Sequence, residues 1–257
     1  MRAGTPPPWP SVSVVIPTLN EARNLPHVFA RLPSDVHEVV IVDGYSVDGT
    51  LEVVRRLRPD ARIVMQTRKG KGNALACGFD AASGDIIATV DADGSSDAAE
   101  IPRFVAALLD GADFAKGTRF AEGGGSGDIT RLRSLGNYVL TGLVNFLYHT
   151  TYTDLCYGFN VFWRKHLPVL GLDATTILPA KGDSRSLGDG FEIETLIHIR
   201  VAEAELTVVE VPSFEHSRIH GASNLSSLRD GLRVLRTVLH ERLHPTAADK
   251  TTSHGER

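Results

Sequence analysis

The sequence predicts an α/β fold: a mostly parallel central sheet with helices on both faces. Three observations lead there. Short β-branched apolar runs alternate with helix-like segments through the first half of the chain, the rhythm of successive β-α-β units. Hydrophobic residues make up 42% and charged residues 23% of the 257 residues, near the globular average and enough for a core. Asn20, Glu21, Asp43, Asp91 and Asp93 all fall just after predicted strands. In a parallel sheet such positions converge on one edge, where ligands bind.

Val12 to Ile16 reads as a buried strand that stops at Pro17, and Asn20 to Leu32 as a helix capped by Asn20 or Thr18. Glu38 to Val42 is the second strand. Asp48-Gly49-Thr50 opens a helix through Leu57, with Asp48 a candidate cap. Arg62 to Met65 is the third strand, Lys71 to Ala82 a helix, Ile86 to Val90 the fourth strand, Ala99 to Leu109 a helix and Asp113 to Gly117 a fifth strand. The second half changes character. Glu122 to Asp128 is glycine-rich, Arg131 to Tyr148 a long apolar helix, and Phe159 to Trp163 a strand. Ile177 to Gly190 is a loop, Phe191 to Val201 a helix, Leu206 to Val211 a strand closed by Pro212, and Leu228 to Leu243 an amphipathic helix.

Composition excludes several classes. The formal charge of −4 leaves no basic field for nucleic acid. Cys77 and Cys156 make no disulfide framework, which fits a reducing, cytoplasmic setting. The N-terminus, MRAGTPPPWPS, lacks the apolar stretch of a signal peptide, and no segment approaches the ~20 apolar residues of a spanning helix. No GxGxxG follows the first strand, against a dinucleotide-binding domain, and no Walker spacing is present.

Asp91-Ala92-Asp93 is the sharpest motif. Two carboxylates around one small residue at a strand end suit Mg²⁺ or Mn²⁺ shared with a diphosphate; a capping turn is the alternative. Asp43 occupies the same position after the second strand. It can accept hydrogen bonds from a nucleobase, or simply close a turn with Gly44. Asp48 reads as structural. Arg68-Lys69-Gly70-Lys71-Gly72-Asn73 enters a helix and could meet a phosphate, although a solvated basic turn explains it alone.

Together, PTLNEARNL, DGYSVDGT, RKGKGNA, VDADGS and GTRF resemble the family-2 glycosyltransferases of GT-A fold. GSGDITRLRSLGNYV, TDLCYGFNVFWR, GDGFEIETLIHI and EVPSFEHSRIHGASNLS look like the dolichyl-phosphate mannose and polyprenyl-phosphate glucose synthase subgroup. The resemblance spans roughly Ser11 to Leu239. It implies an inverting, metal-dependent transfer of a sugar from a UDP- or GDP-linked donor to a polyprenyl phosphate. Pro17, Asn20, Glu21 and Asp43 would line the nucleoside pocket, with Lys71 beside the base, ribose or diphosphate. Asp91 and Asp93 match the DxD, with Ala92 between them and Ser95 able to assist the metal. Arg119 and Arg218 match arginines around the phosphates, and Arg131 and Arg133 match a basic acceptor loop. Residues 1–10 would form an extended lead-in, 11–243 one domain with a nucleotide-sugar half (11–120) and an acceptor half (121–243), and 244–257 a flexible tail. The chain departs from the pattern at Tyr45, in VDGYSVDGT for the usual VDDGSTDGT, and at Asn224, where a lysine is usual. The membrane-spanning tail of many relatives is not found in it.

A phosphate acceptor attacks as an anion and needs countercharges, for which Arg131 and Arg133 suffice. A hydroxyl acceptor needs a base, with Asp189, Glu192 and Glu194 the candidates; burial on an amphipathic helix is the bland account of the two glutamates. A soluble transferase acting on a small-molecule hydroxyl or amine is therefore the alternative, and a nucleotide-sugar-binding protein without turnover a third. His216 and His220 bracket Arg218 in a loop, and Cys156 reads as a plain buried thiol. Leu228, Leu232, Leu235, Leu239 and Leu243 form a stripe flanked by Arg229, Arg233, Arg236 and Arg242. That stripe is expected to pack on its own domain or on a twin subunit in a homodimer, with peripheral membrane contact as the other reading.

Overall fold

The computed structural model describes residues 9–175, 187–221 and 227–244; of Ser227 and Leu228 only the backbone is described. The chain order is β1 (Val12–Thr18), α1 (Leu25–Arg31), β2 (Glu38–Asp43), α2 (Thr50–Leu57), β3 (Arg62–Met65), α3 (Lys71–Ala81), β4 (Ile86–Thr89), α4 (Ile101–Leu109), β5 (Phe114–Thr118), β6 (Gly125–Ser126), α5 (Arg131–Tyr148), β7 (Asn160–Trp163), α6 (Leu167–Leu170), α7 (Ile193–Glu203), β8 (Val208–Pro212), β9 (Phe214–Glu215) and α8 (Ser227–Leu243). The main sheet runs β3-β2-β1-β4-β7-β5-β8. All its pairings are parallel except those of β7, which lies antiparallel between β4 and β5. β6 and β9 form a separate two-stranded ribbon.

The strands are apolar on both faces because both faces are covered. Val14, Ile16, Val39 and Ile41 meet α1, α2 and α4 through Leu25, Val28, Val54, Ile101 and Phe104. Val15, Val40 and Val42 turn the other way, towards Phe79 of α3 and Leu196 of α7. A third cluster joins α5, α7 and α8 through Val144, Ile199, Val234 and Val238. On the first face, Phe104 stacks on Phe159 with ring centroids 4.4 Å apart.

Several expectations are corrected. β1 does not stop at Pro17 but runs on to Thr18. Pro17 has the parity that faces β4, and β4 pairs with β1 only as far as Val15, so no ladder bond is lost. α1 begins five residues late: Asn20 has φ of 58°, and its side-chain oxygen accepts from the Val47 amide rather than capping a helix. β7 reverses direction, which a short run buried on both faces cannot announce. Of the packings expected for the α8 stripe, that on its own domain is not found for Leu232, Leu239 and Leu243. The helix buries Asp230, Val234, Thr237, Val238 and Glu241, while Leu232, Leu239 and Leu243 are exposed. Valine and threonine let the helix approach α7 closely, and Glu241 is held there by Arg200 at 2.9 Å. Asn224 and most of the 177–190 loop and the 244–257 tail lie outside the described residues, as do residues 1–8 of the lead-in.

Phe104→Ala removes a fully buried ring that bridges α4 and the sheet. It should cost about 3–5 kcal/mol of folding stability, read from the shift in a denaturant unfolding curve.

Candidate active site

β1, β2 and β4 deliver their carboxyl ends to one edge, as parallel order requires. Asp91 follows β4, and its Oδ1 lies 2.7 Å from Lys71 Nζ. The same ammonium lies 2.8 Å from Glu194 Oε1, so α3, β4 and α7 meet at one cation. Burial alone would push Lys71 down; Asp91 and Glu194 on either side raise it instead. Burial pushes the Glu194 carboxyl up, against the pull of Lys71. Two glycines make this meeting sterically feasible. A Cβ on Gly72 would overlap the Gly188 carbonyl, and one on Gly158 would sit 2.9 Å from both Lys71 Nζ and Glu194 Oε1.

Asp93 is tied elsewhere. Its Oδ1 accepts from the Ser95 amide at 2.9 Å, and its Oδ2 pairs with Arg218 at 2.8 Å. Arg218 also pairs with Glu21 at 3.0 Å, whose carboxyl is raised by burial despite Asn24 and Arg218. The segment around Arg218 lies over the DxD turn: the His216 amide donates to the Ser95 carbonyl at 2.8 Å and that of Ile219 to Asp93 at 3.3 Å. His216 and His220 are in this loop, as expected, and the His220 carbonyl accepts from Asn24.

Asp43 is fully buried. Its carboxylate accepts from the Ser46 amide at 2.8 Å and from Thr18 Oγ1 at 3.4 Å, so it holds the 43–48 loop, as the turn alternative described. Asp48 stitches that loop to the one after β1 and to the start of α2, accepting from the amides of Ala22 and Thr50. Tyr45 stands at φ 65°, where the usual motif has glycine, and presents an exposed ring. A bulky residue in this conformation is rare and strained.

Of the carboxylates considered as bases, Glu194 is the one brought to the DxD. Arg68 holds Asp189 through Nε at 2.9 Å and Nη2 at 2.8 Å. Glu192 Oε1 accepts from the Gly190 amide at 3.1 Å, and its Oε2 is buried without a hydrogen-bond partner. Arg119 departs from the expectation of a phosphate contact. It is buried, grips Asp154 through Nε (2.7 Å) and Nη2 (2.9 Å), and meets Glu215 through Nη1 (3.0 Å). Burial would lower it, but Asp154 and Glu215 raise it further. Sequence reasoning missed these two partners: TDLCYGFN and EVPSFEHSR carry them, but neither residue's spacing reveals a distant arginine. Cys156 is a correction in part. Its residue surface is exposed while burial beside Asp154 pushes its thiol up to about 12.

Ser126 donates to Glu215, and Gly127 is bonded to the Glu215 carbonyl at 2.8 Å and to Ser217 Oγ at 3.0 Å. The glycine-rich loop is thereby zipped to the strand leading to Arg218, and α5 starts beside it. Arg131 is exposed, and Arg133 pairs with Asp128 at 3.2 Å. The described residues contain no cluster of three or more His, Cys, Asp or Glu that could hold a metal. Two partly open carboxylates remain, an all-oxygen donor set that suits Mg²⁺ or Mn²⁺ completed by substrate oxygens.

A model of the family described as "Glycosyl transferase family 2" matches residues 13–171, more than half of the chain. The chain belongs to this family. As a family-2 glycosyltransferase it is 29% identical over 224 residues to glycosyltransferase AglJ of Haloferax volcanii, a match covering 86% of this chain and 68% of AglJ. It is 37% identical over 120 residues to a dolichol-phosphate mannosyltransferase of Pyrococcus furiosus, covering 44% of this chain and 34% of that enzyme. Among solved structures, glucosyl-3-phosphoglycerate synthase of Mycobacterium tuberculosis, in complex with Mn²⁺, UDP and glucosyl-3-phosphoglycerate, superposes with a TM-score of 0.67 at 22% identity, covering 93% of this chain and 82% of that one. The family model shows the family, and the superposition shows the fold.

The Arg119 cluster can be tested as a structural element. Arg119→Ala would strand Asp154 and Glu215 in the interior and should cost about 3–5 kcal/mol of stability, measured by chemical denaturation. A variant as stable as the parent would return Arg119 to a ligand-facing role.

Proposed function

We propose that this glycosyltransferase moves a hexose, with inversion, from a UDP- or GDP-sugar to a polyprenyl phosphate. The observation that carries the reading is how charge is arranged around the DxD. Asp189 and Glu194 are tied to Arg68 and Lys71, whereas Arg218 sits on Asp93 at the surface of the DxD turn and α5 opens with Arg131 exposed and Arg133 on Asp128. A phosphate oxygen brings its own negative charge to the sugar's anomeric carbon and needs cations rather than a base. The relative from Pyrococcus furiosus, by its name a dolichol-phosphate mannosyltransferase, supports the same acceptor class.

In this reading the acceptor oxygen forms a bond to the anomeric carbon as the bond to the nucleoside diphosphate breaks, and the electron pair leaves with the diphosphate. Arg218 swings from Glu21 and Asp93 onto the departing phosphate, and Arg131 and Arg133 hold the acceptor phosphate in line. Asp91 and Asp93 would hold a divalent ion, with Ser95 fixing Asp93; such an ion supplies Lewis-acid stabilisation of the leaving group. The M. tuberculosis synthase, crystallised with Mn²⁺ and UDP, supports that assignment. Pro17, Asn20, Glu21 and Asp43 frame the nucleoside through the two loops they hold together. A membrane-borne acceptor makes the enzyme peripheral at the cytoplasmic face.

A second reading has one observation in its favour. Glu194, its carboxyl raised by burial, lies within one lysine of Asp91 and could serve as base for a hydroxyl acceptor.

The two readings predict opposite patterns. With a phosphate acceptor, replacing Arg131 and Arg133 by alanine should abolish acceptor binding and turnover while calorimetric affinity for the nucleoside diphosphate holds, and Glu194→Gln should change the rate little. With a hydroxyl acceptor, Glu194→Gln should cost about 10²–10⁴-fold and the arginine pair little. Mass-spectrometric product detection with polyprenyl phosphate as acceptor reads both.

Asp93→Ala, or chelation by EDTA, should remove turnover through loss of several kcal/mol of transition-state stabilisation. Full activity under either condition would take the metal out of the mechanism.

A further inference from the structure

Helices α5 and α8 pack on each other and on α7, and each leaves an apolar stripe uncovered. On α5 the stripe is Leu132, Leu135, Val139 and Phe146, with Gly142 completing the three-four spacing and Tyr138 alongside. On α8 it is Leu232, Leu239 and Leu243. Phe146 is 78% and Leu243 74% exposed. Eight large apolar side chains presented by two neighbouring helices exceed the scattered exposure normal on a soluble surface.

The charges on the same helices are sorted by sign. α5 contains no Asp or Glu. α8 contains Asp230 and Glu241, and both are buried, at 7% and 1% exposure. The exposed charged side chains of the pair are therefore arginines, at 131, 229, 236 and 242, on a chain whose formal charge is −4.

We propose that the outer face of α5 and α8 docks on an anionic lipid surface, its apolar stripe entering the headgroup region and its arginines meeting lipid phosphates. The proposal rests on the lipid-phosphate reading above and adds the surface and its lipid chemistry. Apolar stripes with arginine flanks and no exposed acid suit an interfacial helix. A second copy of the chain suits the face poorly: a two-fold contact would set these arginines against themselves with no exposed carboxylate on either helix to answer them. The position also fits. α5 begins at Arg131, just after the loop zipped to residues 213–217, so the N-terminal end of this face adjoins the segment that carries Arg218. A polyprenyl phosphate could present its headgroup there without its chain leaving the membrane.

The test uses the full chain and two kinds of vesicle, phosphatidylcholine alone and phosphatidylcholine mixed with phosphatidylglycerol. Co-sedimentation should show binding to the anionic vesicles and little to the neutral ones. Replacing Arg229 and Arg236 by glutamine should weaken it about 25-fold, a factor of five for each arginine. Leu135→Asp with Phe146→Asp should abolish it. Both variants should keep nucleotide affinity and turnover of a short-chain, water-soluble polyprenyl phosphate. Absence of wild-type binding to anionic vesicles, binding unchanged in both variants, or a solution dimer that the aspartate pair splits would each overturn the proposal. Vesicle binding lost in both variants, with no turnover of any polyprenyl phosphate by the wild type, would support the docking face and overturn the acceptor reading alone.

Discussion

The ammonium of Lys71 ties α3 and the end of β4 to α7. It draws Asp91 from the end of β4 and Glu194 from the start of α7 to within hydrogen-bond distance of one atom. Burying either carboxylate without it would be costly, because an uncompensated charge in the interior loses its hydration and gains nothing. The neighbouring backbone is built to permit the contact. The amide of Gly72 donates to the Asp189 carbonyl at 2.9 Å, and Arg68 clamps the Asp189 carboxylate. The turn before α3 is thereby laced to the turn before α7. Gly158 passes close enough that no side chain could be carried there. The geometry of the DxD thus depends on residues scattered over more than a hundred positions of sequence.

Arg218 repeats the device from the other side by bridging Glu21 and Asp93. With all groups ionised, the four carboxylates Asp91, Asp93, Glu21 and Glu194 face two cations, Lys71 and Arg218. The excess of negative charge is the amount a divalent cation would bring. Burial moderates that excess, since Glu21 and Glu194 both hold their protons more readily than ordinary glutamates. A site balanced in this way can exchange partners at small net cost, because each guanidinium or carboxylate contact given up is replaced by one with a phosphate or a metal.

Much of this arrangement is legible in the sequence, and what is legible has a common character. Strand ends followed by Asp or Asn, the bounds of β3 and α5, and the placement of the DxD all follow from local pattern, which the backbone period converts directly into position. The direction of β7 was not legible, since a four-residue run buried on both faces reads the same either way. Nor was the role of Arg119. It and Arg218 both match arginines expected from resemblance, and each is paired with two acids in the fold. The difference is burial: Arg119 is 7% exposed and spends its guanidinium on Asp154 and Glu215, whereas Arg218 stands at the open edge. Motif matching identifies the residue type, while exposure decides whether it can release what it holds.

The packing of α8 has the same origin and leads back to function. Leucine spacing marked one stripe, but the helix offers a second set of positions, Val234, Thr237 and Val238, whose small side chains allow close approach to α7 and α5. Close packing rewards the smaller set because interiors tolerate no voids. Glu241 could join that face only because Arg200 reaches it from α7, and Tyr148 of α5 adds a bond to the Val238 carbonyl at 3.0 Å. Once the valine face is committed inward and both acids are buried with it, Leu232, Leu239, Leu243, Arg229, Arg236 and Arg242 are left on the outer surface. The same choice of inner face that completes the third core therefore produces the apolar, cationic exterior of α8.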